Sequence, residues 1–226
     1  MIFSAHQPNY FPYLGLFYKI YKSDCFVFLD DVQFTKSSGP AHERNKISRG
    51  NNVSYIRVAI LYKFLDKINE VEINYSIDWI NDNLKRIESC YYDAPYYESV
   101  MEDIRPILLT HFDNLAELNI VLIKLICNKA NINCKFYRSS DFAIHSKKTE
   151  RLIELGLALN CNEYYSGTGA KAYMDCEAMS QAGINVTYSD YKTAVYIKDG
   201  EVCNPNMSIL DYIFYYGYNF SNLEWK

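Results

Sequence analysis

Apolar and polar positions along the chain fall into blocks that predict an α/β protein. Ile2 to Ala5 is a short apolar run ending at His6, Tyr13 to Tyr21 carries apolar residues at helical spacing, and Cys25 to Leu29 is a second continuous run bounded by Asp24 and Asp30-Asp31. Continuous runs suit strands buried on both faces, so strand, helix, strand predicts a parallel unit from residue 1. Val53 to Ile60 alternates better and predicts an edge or antiparallel strand. From Ser76 to about Ile132 the pattern is helical, with candidates at Ile77 to Ser89, Tyr97 to Leu109 and Leu115 to Ala130. Asp78, Glu98 and Glu117 sit in their first turns, where a negative charge favours the helix dipole. Pro106 is expected to kink or end the second.

Strand-like Cys134 to Tyr137 follows, then a polar loop Ser139 to Lys148 and a helix from about Thr149 to Asn160. Glu163 to Tyr165 is strand-like, Ala170 to Gln181 reads as helix, Ile184 to Tyr188 as a last strand and Ser208 to Tyr216 as a C-terminal helix. The expected fold is α/β: a mostly parallel Rossmann-like sheet flanked by helices, in a single domain over 1–226, with a mostly helical insert at 76–132.

Four polar clusters fall where strands end, the place at which open parallel sheets gather ligands. His6, Gln7, Asn9 and Tyr10 follow the first strand, and His6 is a candidate general base with an ordinary pKa near 6.5. Asp30, Asp31, Gln33 and Lys36 follow the second, with Arg44 and Asn45 beyond. One carboxylate there can hold a cation or a substrate amine while its neighbour caps the loop, and the two cations can meet a phosphate or carboxylate. Ser139, Ser140 and Asp141 precede His145 and a helix start carrying Lys147, Lys148, Glu150 and Arg151, which suits an anion such as a nucleotide phosphate. Ser166, Gly167, Thr168 and Gly169, with Lys171, Tyr173 and Asp175, place glycines where backbone must approach something closely. That spacing is neither a P-loop nor G-x-G-x-x-G. For each cluster the ordinary alternative is a satisfied histidine, a solvated turn or a helix cap.

The composition narrows the field. Lys+Arg 23 against Asp+Glu 27 give a formal charge of -4, with no basic footprint for nucleic acid or a polybasic membrane anchor. The start lacks a basic leader before an apolar core, so a cytoplasmic location is expected. The most apolar stretch, Leu118 to Cys127, is too short to span a bilayer, so no integral membrane segment is expected. Seven cysteines without a C-x-x-C pair point to reduced thiols rather than a disulfide framework or structural zinc. The excess of tyrosine, 22 against 12 Phe, fits either stacking platforms or a compositional bias shared with Asn, Ile and Lys.

Taken together, HQPNYFPYLGLFYKI (His6 to Ile20), FLDDVQFTK with RNKI (Phe28 to Lys36, Arg44 to Ile47), RSSDF with KTERL (Arg138 to Phe142, Lys148 to Leu152), YSGTGAKAYMD (Tyr165 to Asp175) and PNMSILDYIFYYG (Pro205 to Gly217) resemble the WbqC-like family of bacterial surface-polysaccharide gene clusters. The sequence departs from the family pattern at Thr168, where proline is more usual. The resemblance implies a part in O-antigen or capsule assembly, and for some members transfer of glycine or another acyl group to the amine of a nucleotide-linked amino sugar. ATP is implied if the acyl group is activated in place. Two alternatives stay open: a nucleotidyltransferase-like adenylate-forming enzyme, and a non-catalytic sugar-nucleotide-binding protein of the same pathway. The layout of strand, histidine and helix is also similar to adenylate-forming Rossmann domains, at the level of fold analogy.

Overall fold

The computed structural model describes residues 1–36, 41–50, 52–198, 200–202, 206–220 and 223. In chain order the elements are β1 (Ile2–His6), α1 (Leu14–Tyr21), β2 (Cys25–Phe28), β3 (Arg44–Arg49), β4 (Asn52–Arg57), β5 (Ile60–Leu61), β6 (Glu72–Ile73), α2 (Trp79–Tyr91), α3 (Tyr97–Leu109), α4 (Leu115–Lys129), β7 (Lys135–Arg138), α5 (Lys148–Ala158), β8 (Glu163–Ser166), α6 (Cys176–Gln181), β9 (Asn185–Tyr188), β10 (Ile197–Lys198), β11 (Glu201–Val202) and α7 (Ile209–Tyr216). They divide into two compact units. The first takes Met1–Gln7, Gly15–Asp31 and Ile132–Lys192; the second takes Pro8–Leu14, Val32–Asn131 and Thr193–Lys226.

The first unit is built on a five-stranded parallel sheet in the order β7-β2-β1-β8-β9. Numbered by their order along the chain, these strands run 3-2-1-4-5, so the direction of winding reverses at β1. A right-handed crossover then puts helices made after the reversal on the opposite face from those made before it. The side chains agree. Phe3, Ala5, Cys25 and Val27 point to one face and pack with Leu152 and Leu155 of α5, and with Met179 and Ile184 in and after α6. Ser4 points to the other face, where Ser23, just past α1, donates to its hydroxyl at 2.8 Å. Gly156 lets α5 come close, since a Cβ there would lie 2.7 Å from Ile184 and 2.8 Å from Phe3.

The second unit joins the antiparallel hairpin β3-β4, which pairs Arg44 with Arg57 through Arg49 with Asn52, to helices α2, α3, α4 and α7. Its polar centre is Asp211 of α7, fully buried. Its Oδ1 accepts from Ser48 at 3.0 Å, Tyr91 at 2.7 Å and Lys198 at 3.0 Å, and its Oδ2 from Tyr196 at 3.0 Å. Lys198 also donates to the Ser48 carbonyl at 2.5 Å and lies over the Tyr91 ring. A buried pair of this kind is tolerated because its remaining hydrogen-bonding positions are filled.

Three expectations about elements change. The helix read across Ala170 to Gln181 is a 3-10 turn, Thr168–Ala172, followed by α6. The break falls where the Asp175 carboxylate accepts from the Ala178 amide at 2.9 Å to cap α6, and the Asp175 amide donates to Thr149 Oγ1. Of the two outcomes expected at Pro106, a kink or an end, the end does not occur: α3 runs on to Leu109. Pro106 stands on the exposed face, where the carbonyl it leaves unpaired meets water. The strand read over Val53 to Ile60 stops at Arg57, and the residues from Arg44 to Arg49, to which the sequence pattern assigned no element, form its partner. Cys203 and Pro205 lie outside the described residues. None of the six described cysteines is disulfide-bonded.

Candidate functional site at the carboxyl edge of the parallel sheet

Every strand of the sheet delivers a polar residue to its carboxyl end: Ser139 after β7, Asp30 and Asp31 after β2, His6 at the end of β1, Ser166 at the end of β8, and Ser189 and Asp190 after β9. Between β1 and β2 the pairing continues to His6 with Phe28. Between β1 and β8 it is recorded for Ile2 with Glu163 and Phe3 with Tyr164. The strands then run on to His6 and Ser166 without further paired positions among the described residues. The sheet thus opens where its winding reverses, which is where such sheets bind ligands.

His6 is half-buried, and its Nδ1 lies 2.8 Å from the Gln7 carbonyl oxygen. A carbonyl only accepts, so the hydrogen of this bond sits on Nδ1, and a neutral ring carries its lone pair on Nε2. Gln7, half-buried, is the last residue of the first segment of the first unit. On the far side of the opening, Ser166 is buried and its hydroxyl donates to the Gly167 carbonyl at 3.3 Å. Among the described residues nothing lies within 4 Å of a Cβ added at Gly167 or Gly169. Packing within the protein therefore gives no reason for glycine at either position. Tyr173 is 66% exposed, Lys171 lies over the Tyr188 ring at 5.0 Å, and Asp175 serves as the α6 cap.

The paired acids have separate partners. Asp30 is buried and accepts from the Ser140 amide at 3.1 Å, the Ser140 hydroxyl at 2.7 Å and the Ser139 hydroxyl at 3.3 Å. Asp31 accepts from Ser139 and from Nη2 of Arg151 on α5. Burial alone would raise the Asp31 pKa; the Arg151 and Ser139 hydrogen bonds and the Arg151 charge outweigh it and hold the carboxyl below the usual carboxylate range. Ser139, Ser140 and Arg151, read from the sequence as anion ligands, thus bind the two acids of the separate cluster after β2. Arg151 retains a buried Nε with no partner, as does the Ser146 hydroxyl. Lys148 and Glu150 are exposed at the start of α5, whose Lys147 cap makes no side-chain bond. Lys148 itself holds φ 54, a conformation uncommon outside glycine.

The remaining sequence candidates belong to the second unit. Asn9 Oδ1 lies 2.8 Å from Nδ1 of the buried His42, whose pKa burial lowers. Tyr10 is fully buried and its hydroxyl accepts from Asn83 at 3.1 Å. Asn45 donates to the carbonyls of Tyr10 at 3.2 Å and Phe11 at 2.7 Å. These polar groups hold the backbone of the second unit. Gln33 is exposed and bridges to Lys67, Lys36 lies over the Tyr62 ring and Arg44 over Tyr55.

Two groups of the first unit went unread. Lys19 of α1 is buried, donates to the Ala5 carbonyl at 2.8 Å, and burial lowers its pKa to about 8. Asp190 accepts from Tyr18 at 2.8 Å and Tyr165 at 3.0 Å, which lower its pKa. The available signals were a lysine within the apolar periodicity of α1 and a Ser-Asp pair directly after the last strand.

Among the described residues no group of three or more His, Cys, Asp or Glu side chains is placed to hold a metal ion, and no helix is long and apolar enough to cross a membrane. A family model, described as the WbqC-like protein family, matches residues 7–222. The protein named Rv1507c of Mycobacterium tuberculosis, described as uncharacterized, is 32% identical over 213 residues, 93% of this chain and 92% of that one. No solved structure matches.

Proposed function

The chain belongs to the WbqC-like protein family, and from that membership we propose that it is a cytoplasmic transferase of surface-polysaccharide assembly. On this reading it joins glycine or another small acyl group to the amine of a nucleotide-linked amino sugar. The observation that carries the reading is the opening of the sheet between His6 of β1 and Ser166-Gly167 of β8, the position at which this strand order binds phosphorylated ligands.

In the proposed reaction the acyl carboxylate attacks the α-phosphate of ATP and pyrophosphate leaves. The sugar amine then attacks the acyl carbonyl carbon, the new C–N bond forms, AMP leaves and the amine gives up one proton. His6, with its lone pair on Nε2, is the group proposed to take that proton. The bare backbone at Gly167 and Gly169 supports close approach of a phosphate. Asp30 and Asp31 contribute by fixing the loop after β2 and the start of α5.

Incubating pure protein with ATP, glycine and UDP- or dTDP-linked amino sugars and reading product masses tests the proposal. A glycyl gain on the sugar is the expected result. Nucleotide adducts without acyl transfer would point to nucleotidyl transfer, and binding without turnover to a carrier role.

A further inference from the structure

The second unit carries a cavity of about 650 Å³, open on one side, lined by β4 and α2, a size typical of small-molecule sites. Trp79, Asp82 and Arg86 fall at i, i+3 and i+7 and so lie along one side of the helix. The inward stripe of α2 is Trp79, Asn83, Ile87, Cys90 and Tyr91; Asp82 and Arg86 lie beside it, exposed, and bring charge to the rim of the cavity.

Two buried groups on the wall have no hydrogen-bond partner among the described residues. Glu43, just before β3, is 2% exposed, and its Oε2 is buried without a hydrogen bond. Trp79 is 4% exposed, and its indole Nε1 is likewise buried and unpaired. A buried acceptor without a donor costs about 1 to 3 kcal/mol, and more when it is charged. The same wall carries Lys36, Arg57 and Arg86, yet none of them forms an ion pair with Glu43. Arg86 donates to the Ser54 hydroxyl at 3.2 Å. The cavity therefore offers a buried acceptor that wants a cationic donor, an indole N–H that wants an acceptor, and cations that want an anion.

We infer that this cavity is a binding site for a phosphorylated amino sugar. The ammonium group satisfies both the charge and the hydrogen-bonding need of Glu43. A ring hydroxyl accepts from Trp79, and the phosphate meets Arg57, Arg86 and Lys36. The inference rests on the transfer reading for the choice of a sugar, and gives the second unit a phosphosugar site of its own.

Trp79 supplies the readout, because the chain holds two tryptophans and Trp225→Phe leaves Trp79 alone. Its emission is followed while the variant is titrated with glucosamine 1-phosphate, glucose 1-phosphate, glucosamine and inorganic phosphate. Saturable change with glucosamine 1-phosphate is expected, weakened at least about tenfold when either the amine or the phosphate is missing. Glu43→Gln should weaken glucosamine 1-phosphate by about tenfold or more while leaving glucose 1-phosphate nearly unchanged, since an amide keeps an acceptor but loses the charge. Arg57→Ala, at an exposed position, should weaken both phosphates and covers the case in which Glu43→Gln fails to fold. No response to any probe, or unchanged affinity in Glu43→Gln and Arg57→Ala, overturns the inference. Binding of glucosamine 1-phosphate in a protein that never transfers an acyl group would sink the transfer reading alone. Glycyl transfer by a protein that shows no response to glucosamine 1-phosphate would sink the cavity alone.

Discussion

Arg151, in the first turn of α5, donates through Nη2 to Asp31, which lies just beyond β2, and both side chains are largely buried at 12% and 15% exposure. The pair ties the loop after one strand to the start of a helix more than a hundred residues away. Because the Asp31 pKa is lowered on folding, its contribution is complete above the ordinary carboxylate pKa of about 4 and is lost as pH falls through the lower folded value. Asp31→Asn should cost about 1 to 3 kcal/mol at neutral pH. Urea unfolding at descending pH should show that deficit shrinking below about pH 4; a deficit independent of pH would mean that the charge of Asp31 is not what stabilises the loop.

Lys19 has the opposite charge and a different window. Burial lowers its pKa to about 8, so the unfolded chain binds a proton that the folded chain has released. Its contribution is therefore fully present above the unfolded pKa of about 10.4 and is lost as pH falls through about 8. Relative to Lys19→Met, the natural protein should gain stability from about pH 8 to 10, at a limiting slope near 1.4 kcal/mol per pH unit. Parallel pH profiles for the two proteins would show that Lys19 is not desolvated as described.

The buried pair in the second unit gives a sharper test of packing. Lys198→Ala leaves Asp211 charged and enclosed, and should cost about 3 to 5 kcal/mol. Replacing both, as Lys198→Met with Asp211→Leu, should cost less than that single change. Thermal unfolding of the three proteins decides it, and a double variant weaker than Lys198→Ala would show that the hydroxyl partners of Asp211, rather than its charge, dominate.

Glycines separate structure from site. Gly156→Ala forces a Cβ against Ile184 and Phe3, a cost of about 1 to 3 kcal/mol from overpacking, partly offset by the better helix propensity of Ala. Gly167→Ala and Gly169→Ala meet open space and should change stability by no more than about 0.5 kcal/mol, yet weaken nucleotide or nucleotide-sugar binding in a titration. Unaltered affinity in both would remove the proposed phosphate approach at β8.

Much of the first unit was legible because its central strands β1, β2 and β8 are buried on both faces. The runs around Phe3, Phe26 and Tyr164 and the helical stripes of α1 and α5 allow few other readings. The pairing of β3 with β4 was not legible, because the inward positions of β3 include Asn45, a polar residue placed there to hold the Tyr10 and Phe11 carbonyls. The site was legible as clusters but not as partnerships. Adjacent Asp30 and Asp31 announce themselves in one dimension, whereas the fact that Arg151 and Ser139 satisfy them depends on which strands neighbour in the sheet. Glu43 carried no signal at all, since a lone acid beside an arginine reads as solvated turn.

The central claim is that His6 moves the proton of an acyl transfer at the sheet opening, and the direct measurement is the turnover of His6→Ala beside the natural protein in the mass-resolved assay with ATP, glycine and nucleotide-linked amino sugars. Losing the hydrogen bond to Gln7 should cost only about 1 kcal/mol of stability, while loss of a positioned base should slow glycyl transfer about 10²- to 10⁴-fold at unchanged ligand affinity. Full turnover in His6→Ala, or no glycyl transfer by the natural protein with any of these donors and acceptors, would contradict the account.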